Sequence, residues 1–151
     1  MAATSVNQAS IDLINTLSDD VWNGRDYDRL NDLVTADFVQ HGPVTEMELS
    51  GRDELEANIR QYHEAFSDLE STVNLVFCDE TGEYVCAHLT NSGTHDGTLM
   101  GIPASDNEGE VDVIGVYRID DGMIAESWIV ADMYTLFDVL GTFPESNPFA
   151  A

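Results

Sequence analysis

Two segments place an ionisable side chain at the end of an otherwise apolar, extended run. Residues 93–97 (GTHDG) hold His95 between two glycines, and residues 126–128 (ESW) precede Asp132. Burial disfavours the charged form of a carboxyl and raises its pKa towards the working pH, where it can act as a general acid or base. The pattern therefore predicts a pocket in which His95 and Asp132 carry acid–base chemistry.

Asp132 has two interpretations. Strand alternation places it on the same face as Trp128 and Val130, and if that face lines a pocket its pKa should rise beside the indole. Alternatively, it caps the helix predicted to begin at Met133 or Tyr134, a common role for aspartate. The residues by themselves favour the cap.

The four histidines differ in position. Strand alternation places His95 on an apolar face. It could act as a proton carrier or a donor to a substrate carbonyl, or it could be a strand-end histidine that is hydrogen-bonded to the backbone. His41 ends a short strand before Gly42-Pro43, with the same alternatives. His63 lies within a predicted helix, at the core or its rim. His88 is on the face opposite His95, towards solvent or a subunit contact.

The charge balance excludes several kinds of partner. The chain has 29 acidic and 5 basic residues, all five arginine, for a formal net charge of −24. The acids are spread along the whole chain, which favours an acidic surface adapted to multimolar salt over a patch for a basic partner. This charge argues against binding nucleic acid. We also expect no membrane span and no secretory leader, hence a cytoplasmic protein.

Apolar residues recur with helical spacing in the first part of the chain and alternate with polar residues in the second part. With 151 residues and no composition break, one domain over residues 1–141 and a loose tail over 142–151 are predicted. Two hairpins after the helices indicate an α+β fold, a curved antiparallel sheet around helices that leaves a pocket. The predicted helices cover 10–22, 27–34, 50–66 (capped by Ser50) and 134–140; the strands cover 37–41, 69–78, 83–95, 111–119 and 123–132.

The two cysteines flank a turn at Thr81-Gly82. A two-residue turn sets Cys78 opposite Val85 and Cys86 opposite Phe77, on different faces, so free thiols are predicted. A one-residue bulge would bring the thiols together. No Cys/His spacing resembles a zinc site.

Several strings resemble one family. Residues 93–103 (GTHDGTLMGIP), 117–132 (YRIDDGMIAESWIVAD), 38–43 (FVQHGP), 65–68 (AFSD) and the LG at 140–141 resemble the SnoaL-like polyketide cyclases, or ester cyclases, of the nuclear-transport-factor-2-like superfamily. The likeness runs from about residue 15 to residue 141. Ala104-Ser105-Asp106 departs from the family's usual pattern, which puts the choice of substrate in doubt.

The resemblance implies a fold and a mechanism. The fold is a cone of strongly bent antiparallel strands with three N-terminal helices enclosing a pocket. The activity is a cofactor-free and metal-free ring closure of the aldol type, with Asp132 as general acid/base and His95 in the pocket. A base must reach the carbon beside a carbonyl, and the enolate needs a donor. We expect a small hydrophobic carbonyl compound as substrate, with walls from His41, Phe38, Tyr62, Phe66, Met100 and Trp128.

Three alternatives remain open. Arg118-Ile119-Asp120 facing Asp132 has the spacing of an epoxide hydrolase of the limonene-epoxide type, although Asp120 also fits a turn at Asp121-Gly122. A non-catalytic pocket that binds a small molecule is the second, since one fold hosts both kinds of protein. A related isomerase or lyase is the third. In each case we expect a homodimer or a larger homo-oligomer through the outer sheet face that carries Ile114 and Val116.

Overall fold

A single six-stranded sheet is the frame of the molecule. The structure, a computed structural model, describes residues 2–143, with side chains from Ser5 onward; most of the predicted tail lies outside the described residues. The helices are α1 (Ala2–Thr16), α2 (Leu30–Leu33), α3 (Arg52–Ala65) and α4 (Met133–Val139); the strands are β1 (Val34–His41), β2 (Leu49–Ser50), β3 (Glu70–Cys78), β4 (Tyr84–Thr94), β5 (Glu108–Asp120) and β6 (Met123–Ala131).

The strands are ordered β2-β1-β6-β5-β4-β3. The two predicted hairpins, β3–β4 and β5–β6, are both present and antiparallel, whereas β1 runs parallel to β6. The β5–β6 turn uses Asp121 and Gly122, both at positive φ (50° and 76°), as a tight turn that matches strand twist requires. The α+β prediction is confirmed.

The β3–β4 register agrees with the predicted one. Phe77 lies opposite Cys86 and Cys78 lies opposite Val85. Adjacent strand residues point to opposite faces, so the two thiols are on different sides of the sheet, and both cysteines are free.

A bulge in β6 reverses the predicted assignment of its faces. Ile119 pairs with Ile124, but the next residue, Arg118, pairs with Glu126, so Ala125 is an extra residue without a partner. One extra residue moves every later side chain to the other face. Ile124 is 1% exposed and faces the core, whereas Glu126 and the alternate residues after it face outward.

The helices cover the inner face of the sheet. The predicted helix at 10–22 is the second half of α1 together with a π-helical turn at Leu17–Asn23. The predicted helix at 27–34 is a 3₁₀ turn at Tyr27–Arg29 followed by α2. None of the described helices is long and apolar enough to cross a membrane.

The predicted cap of α3 is wrong. Ser50 belongs to β2, where it pairs with Val39, and Gly51 at φ +96° occupies the cap position. The Ser50 backbone N–H instead donates to the Glu54 carboxylate over 2.7 Å. The carboxylate of the first turn thus satisfies a donor that precedes the helix, as in a capping box.

Two apolar clusters hold the layers together. One joins α1, α2 and α3 to the sheet through residues such as Ile14, Leu30, Ile59 and Val85. The other joins the end of α3 to α4 through Phe66, Leu99, Leu136 and their neighbours. The cavity described next is lined by members of both clusters.

Candidate functional site

The cone encloses a cavity of two chambers. An outer chamber of about 130 Å³ is bounded by α3, α4 and the sheet. An inner one of about 80 Å³ lies against the π-helical turn that follows α1, β1 and the centre of the sheet. An apolar cavity of about 150 Å³ is large enough for benzene. Since both chambers are lined by the same five residues at their junction, we expect them to hold one molecule of one or two rings; the shared residues are Trp22, Gln40, Leu55, Asn91 and Val113.

The walls are apolar with neutral polar groups between them. Among the described residues that line either chamber there is no carboxylate, imidazole, guanidinium or thiol. The two tyrosines there stay neutral. Burial raises the pKa of Tyr62, and it raises the pKa of Tyr117 to about 12. Apolar walls without charge suit a neutral ligand, because burying an unpaired ion is costly.

Asp132 lies outside this cavity, so its predicted placement is corrected. It is exposed and caps α4: its Oδ1 accepts the Thr135 backbone N–H over 3.0 Å and its Oδ2 accepts the Thr135 hydroxyl over 2.5 Å. These hydrogen bonds to Thr135, the hydroxyl's first, lower the pKa of Asp132, which is opposite to the rise expected of a desolvated base. The bulge at Ala125 is the reason, since it turns this face of β6 outward.

Trp128 and His41 are also on the outer face, so their predicted place in a pocket wall is wrong. Trp128 is 37% exposed, and its ring stacks on the His41 ring at 5.3 Å. His41 Nε2 lies 2.6 Å from Glu126 Oε2, and the Arg118 Nε–H donates to the other oxygen over 3.1 Å. The hydrogen bond from His41, with Arg118 second, lowers the pKa of Glu126.

His95 is buried just behind the cavity wall. Its Nδ1 accepts the Ser105 backbone N–H over 3.1 Å, while the Ser105 hydroxyl donates to the Val139 carbonyl over 2.7 Å. In the neutral ring, Nε2 then carries the proton, and this atom is buried without a partner in the described structure. The ring packs on Phe66 at 5.4 Å between centroids, and Phe66 is a wall of the outer chamber.

The other predicted wall residues are divided between the cavity and the surface. Phe38 lines the inner chamber, and Tyr62 and Phe66 line the outer one. Met100 is 40% exposed beside an open groove along α3, outside the two chambers. Whether these residues contact a substrate stays a prediction.

The remaining histidines have structural partners. His63 is 4% exposed; it accepts from the Tyr27 hydroxyl at Nδ1 over 2.6 Å and donates from Nε2 to the Trp22 carbonyl over 2.8 Å. Burial lowers the pKa of His63, so the ring stays neutral. His88 lies on the outer face, 3.5 Å from Asp112.

Arg118, Asp120 and Asp132 do not form the arrangement that was predicted for epoxide hydrolysis. Arg118 is on the outer face and pairs with Glu126. Asp120 is exposed at the β5–β6 turn, and Asp132 is at the other end of β6. The predicted Arg–Asp pair therefore faces neither Asp132 nor the cavity.

The sequence interpretation missed the polar residues that line the cavity. Each of three polar residues lies on the inner face of its strand, two positions from a buried residue on the same face. The pairs are Gln40 with Phe38, Asn91 with Leu89, and Tyr117 with Gly115. The available signal for these cavity residues was a polar residue at a strand position whose neighbours two residues away are apolar and buried. Within residues 2–143 no cluster of three His, Cys, Asp or Glu side chains could hold a metal ion; the predicted absence of a cofactor stays untested.

Comparison with known proteins identifies the family. The family model described as SnoaL-like polyketide cyclase matches residues 12–140, most of the chain. The chain belongs to this family. No curated protein matches it.

Solved structures agree on the SnoaL-like fold. A candidate SnoaL-like polyketide cyclase from Jannaschia sp. CCS1 is similar at 21% identity and a TM-score of 0.80, covering 92% of this chain and 96% of that one. IdmH from Streptomyces antibioticus, a candidate polyketide cyclase, has 26% identity and a TM-score of 0.75, covering 87% and 98%. An epoxide hydrolase of the LEH-like kind from M. tuberculosis has 19% identity and a TM-score of 0.68, covering 89% and 90%.

The capping role of Asp132 predicts the sign of a substitution. Asp132→Asn should slightly lower the free energy of unfolding at pH 7, because the charged, hydrogen-bonded form has the depressed pKa and contributes stability above the unfolded pKa of about 3.9. That contribution begins to fall as the pH drops past the unfolded pKa and is lost below the lower, folded pKa, so the two proteins should converge only below the folded pKa. Asp132→Ala, which removes the cap, should lose about 1 kcal/mol at pH 7.

Urea unfolding of the three proteins at several pH values measures this. A stabilising effect of Asp132→Asn at pH 7 would instead indicate a desolvated carboxylate at this position, as in a buried base.

Proposed function

We propose that this SnoaL-like protein binds a small, neutral, hydrophobic molecule of one or two rings, of the carbonyl class, in its two-chambered cavity. The observation that supports this most strongly is the lining itself: aromatic and aliphatic walls, a few amide and hydroxyl groups, and no charged side chain among the described lining residues. Such sites fix orientation with a few polar groups and derive affinity from apolar contact.

Two observations support a carbonyl compound as the ligand. The family, and IdmH at 26% identity, are named for cyclases of polyketides, which are carbonyl compounds. The cavity offers N–H and O–H donors to such a group, in the Gln40 amide and the Tyr117 hydroxyl. The role proposed here is binding, which needs no general base.

Filling the cavity should abolish binding. Val113 lines both chambers, so Val113→Phe places extra ring atoms in the shared space. With 1-tetralone as the probe, we expect affinity to fall at least about tenfold, since loss of this contact removes more than about 1.4 kcal/mol. Isothermal titration calorimetry measures the change.

Val116→Phe is the matched control, because Val116 lies on the same strand but on the outer face, opposite Cys86 and Trp128. Equal affinities of the two variants, or no binding of 1-tetralone and its bicyclic relatives to the wild-type protein, would contradict the proposal.

Acid–base turnover of a carbonyl compound is the second candidate, and the orphaned His95 Nε2–H supports it. If Phe66 turns aside, this N–H faces the outer chamber and can donate a hydrogen bond to a carbonyl oxygen held there. A carbonyl so polarised loses a proton more readily from the adjacent carbon. Asp132 takes no step here, because it caps α4 at the surface.

Proton exchange tests this candidate without knowledge of the substrate. In deuterated buffer, the wild-type protein should speed exchange of the C2 protons of 1-tetralone, and His95→Phe should remove the acceleration. Asp132→Asn should leave it unchanged. NMR follows the loss of the C2 signal; exchange no faster than in buffer alone would rule the candidate out.

We further propose that two copies associate through the outer face of the sheet. Two rows of side chains, apolar except for His88, cross four strands there: Leu75–His88–Ile114–Val130 and Phe77–Cys86–Val116–Trp128. Leu75, Phe77, Ile114 and Val130 are 57%, 53%, 51% and 70% exposed, a large contiguous patch for a soluble monomer. A second copy related by a twofold axis presents the same patch, so the two are self-complementary.

The dimer proposal predicts that charged substitutions in the patch halve the molecular mass measured in solution. Ile114→Glu and Val130→Glu each put a carboxylate into the patch and should give monomers in light scattering at 2 M KCl, where wild type is a dimer. Val44→Glu adds the same charge at an exposed apolar position off the sheet and should remain dimeric. A monomeric wild-type protein contradicts the proposal.

The acidic surface is proposed to be an adaptation to concentrated salt. At low ionic strength a net charge of −24 is poorly screened, whereas at about 1 M the screening length is ~3 Å. The thermal unfolding midpoint should therefore rise between 0.1 and 3 M KCl. A midpoint that does not change would contradict this adaptation.

A further inference from the structure

Four neutral polar side chains line the inner chamber, and one of them is Ser71 on β3. The other three are Gln40 on β1, Asn91 on β4 and Tyr117 on β5. Asn91 and Tyr117 are on the paired strands β4 and β5, whereas Gln40 is on β1, which β6 separates from β5. Otherwise the chamber is mainly aliphatic and aromatic.

The hydrogen-bonding capacity of these groups is only partly used. Asn91 Oδ1 is buried without a partner in the described structure. Gln40 Oε1 accepts from the Ser127 hydroxyl over 3.4 Å, which leaves its N–H donors for the chamber. Tyr117 is 8% exposed, and its hydroxyl has no partner among residues 2–143.

Buried polar groups in folded proteins nearly always find a partner, because an unmade hydrogen bond leaves the full cost of desolvation. Among these three side chains, Asn91 thus offers an unused acceptor, and Gln40 and Tyr117 offer donors; the Ser71 hydroxyl, which also lines the chamber, can act as either. It offers no cation that would neutralise a carboxylate or a phosphate.

Gly115 leaves the space that the Tyr117 ring occupies. An added Cβ at Gly115 would lie 2.7 Å from the Tyr117 hydroxyl oxygen, so the tyrosine ring lies flat along its own strand over Gly115. Any larger residue there must displace the ring. Burial keeps the hydroxyl protonated, since it raises the pKa of Tyr117 to about 12, and the group acts as a donor at neutral pH.

From this arrangement we propose that the inner chamber selects a neutral ligand bearing both an acceptor and a separate donor. The acceptor, such as a carbonyl oxygen, binds the Tyr117 O–H and the Gln40 N–H, and the donor, such as a hydroxyl or an N–H, binds Asn91 Oδ1. The inference rests on the proposed function and adds the polar pattern that sets specificity. No covalent step is involved.

A probe series separates the two kinds of contact. Tetralin has neither group, 1-tetralone has the acceptor, 5,6,7,8-tetrahydro-1-naphthol has the hydroxyl, and 6- and 7-hydroxy-1-tetralone have both, too far apart to bond to each other. Each matched group should tighten the dissociation constant about fivefold, and both together about 25-fold. Calorimetry gives the constants for the wild-type protein.

Two near-isosteric variants assign the contacts. Tyr117→Phe should cancel the gain from the carbonyl and leave the gain from the hydroxyl, and Asn91→Leu should do the reverse. Neither should weaken tetralin. Gln40→Met is a second carbonyl-side variant should Tyr117→Phe lose its native circular dichroism.

The outcomes distinguish this inference from the proposed function. If tetralin and the hydroxytetralones bind equally well, the cavity binds hydrophobic molecules but the polar pattern does not select, and the inference is overturned. If no probe binds, both fail. If the variants weaken all probes alike, they act on packing, and the assignment of Tyr117 and Asn91 is overturned.

Discussion

The contents of the cavity depend on the bulge at Ala125 in β6. Because this residue has no partner on β5, the chain beyond it is shifted by one position, so that Ser127, Ile129 and Ala131 face inward. The outward face then receives Glu126, Trp128 and Val130, so that the carboxylate of Glu126 is kept out of the cavity. The surface network of His41, Glu126 and Arg118, and the neutral lining of the chambers, are two consequences of the same insertion.

Close backbone approach determines the shape of the space that remains. At Gly109 an added Cβ would lie 2.2 Å from Val139 Cγ2, so α4 packs directly on β5 only because no side chain intervenes. At Gly97 it would lie 2.1 Å from the Glu64 carbonyl oxygen, which joins the loop after β4 to the end of α3. These contacts close the cone around the outer chamber, and Gly115 leaves room for the Tyr117 ring at the inner one.

The charge of this protein is separated from its binding space. The described lining of both chambers is uncharged, while the acids lie at the surface. Asp132 caps α4, and Asp68 and Asp96 accept hydrogen bonds from residues distant in the chain. Hydrogen bonds from Thr94 and Ser67 lower the pKa values of Asp68 and Asp96. A SnoaL-like cone can thus carry a strongly acidic exterior with little effect on the chemistry inside, because short-range packing defines the cavity and screened charge acts only outside it.

The sequence by itself determined the long strands with their two hairpins, the approximate positions of most helices, and the family. Periodicity is local, so it located α3, the four long strands and the free cysteines on opposite faces, and the short strings of residues 38–43 and 93–103 identified the SnoaL-like family. Only the tertiary structure decided which face of β6 is inside. A bulge depends on how two strands pair, which one strand's pattern does not contain, and so the predicted places of Asp132, Trp128 and His41 were wrong while Asn91 and Tyr117 went unnoticed. The packing of elements that are distant in the chain decides the surroundings of a polar residue on an inner face. It can place a hydrogen-bond partner there, an apolar neighbour or an empty chamber.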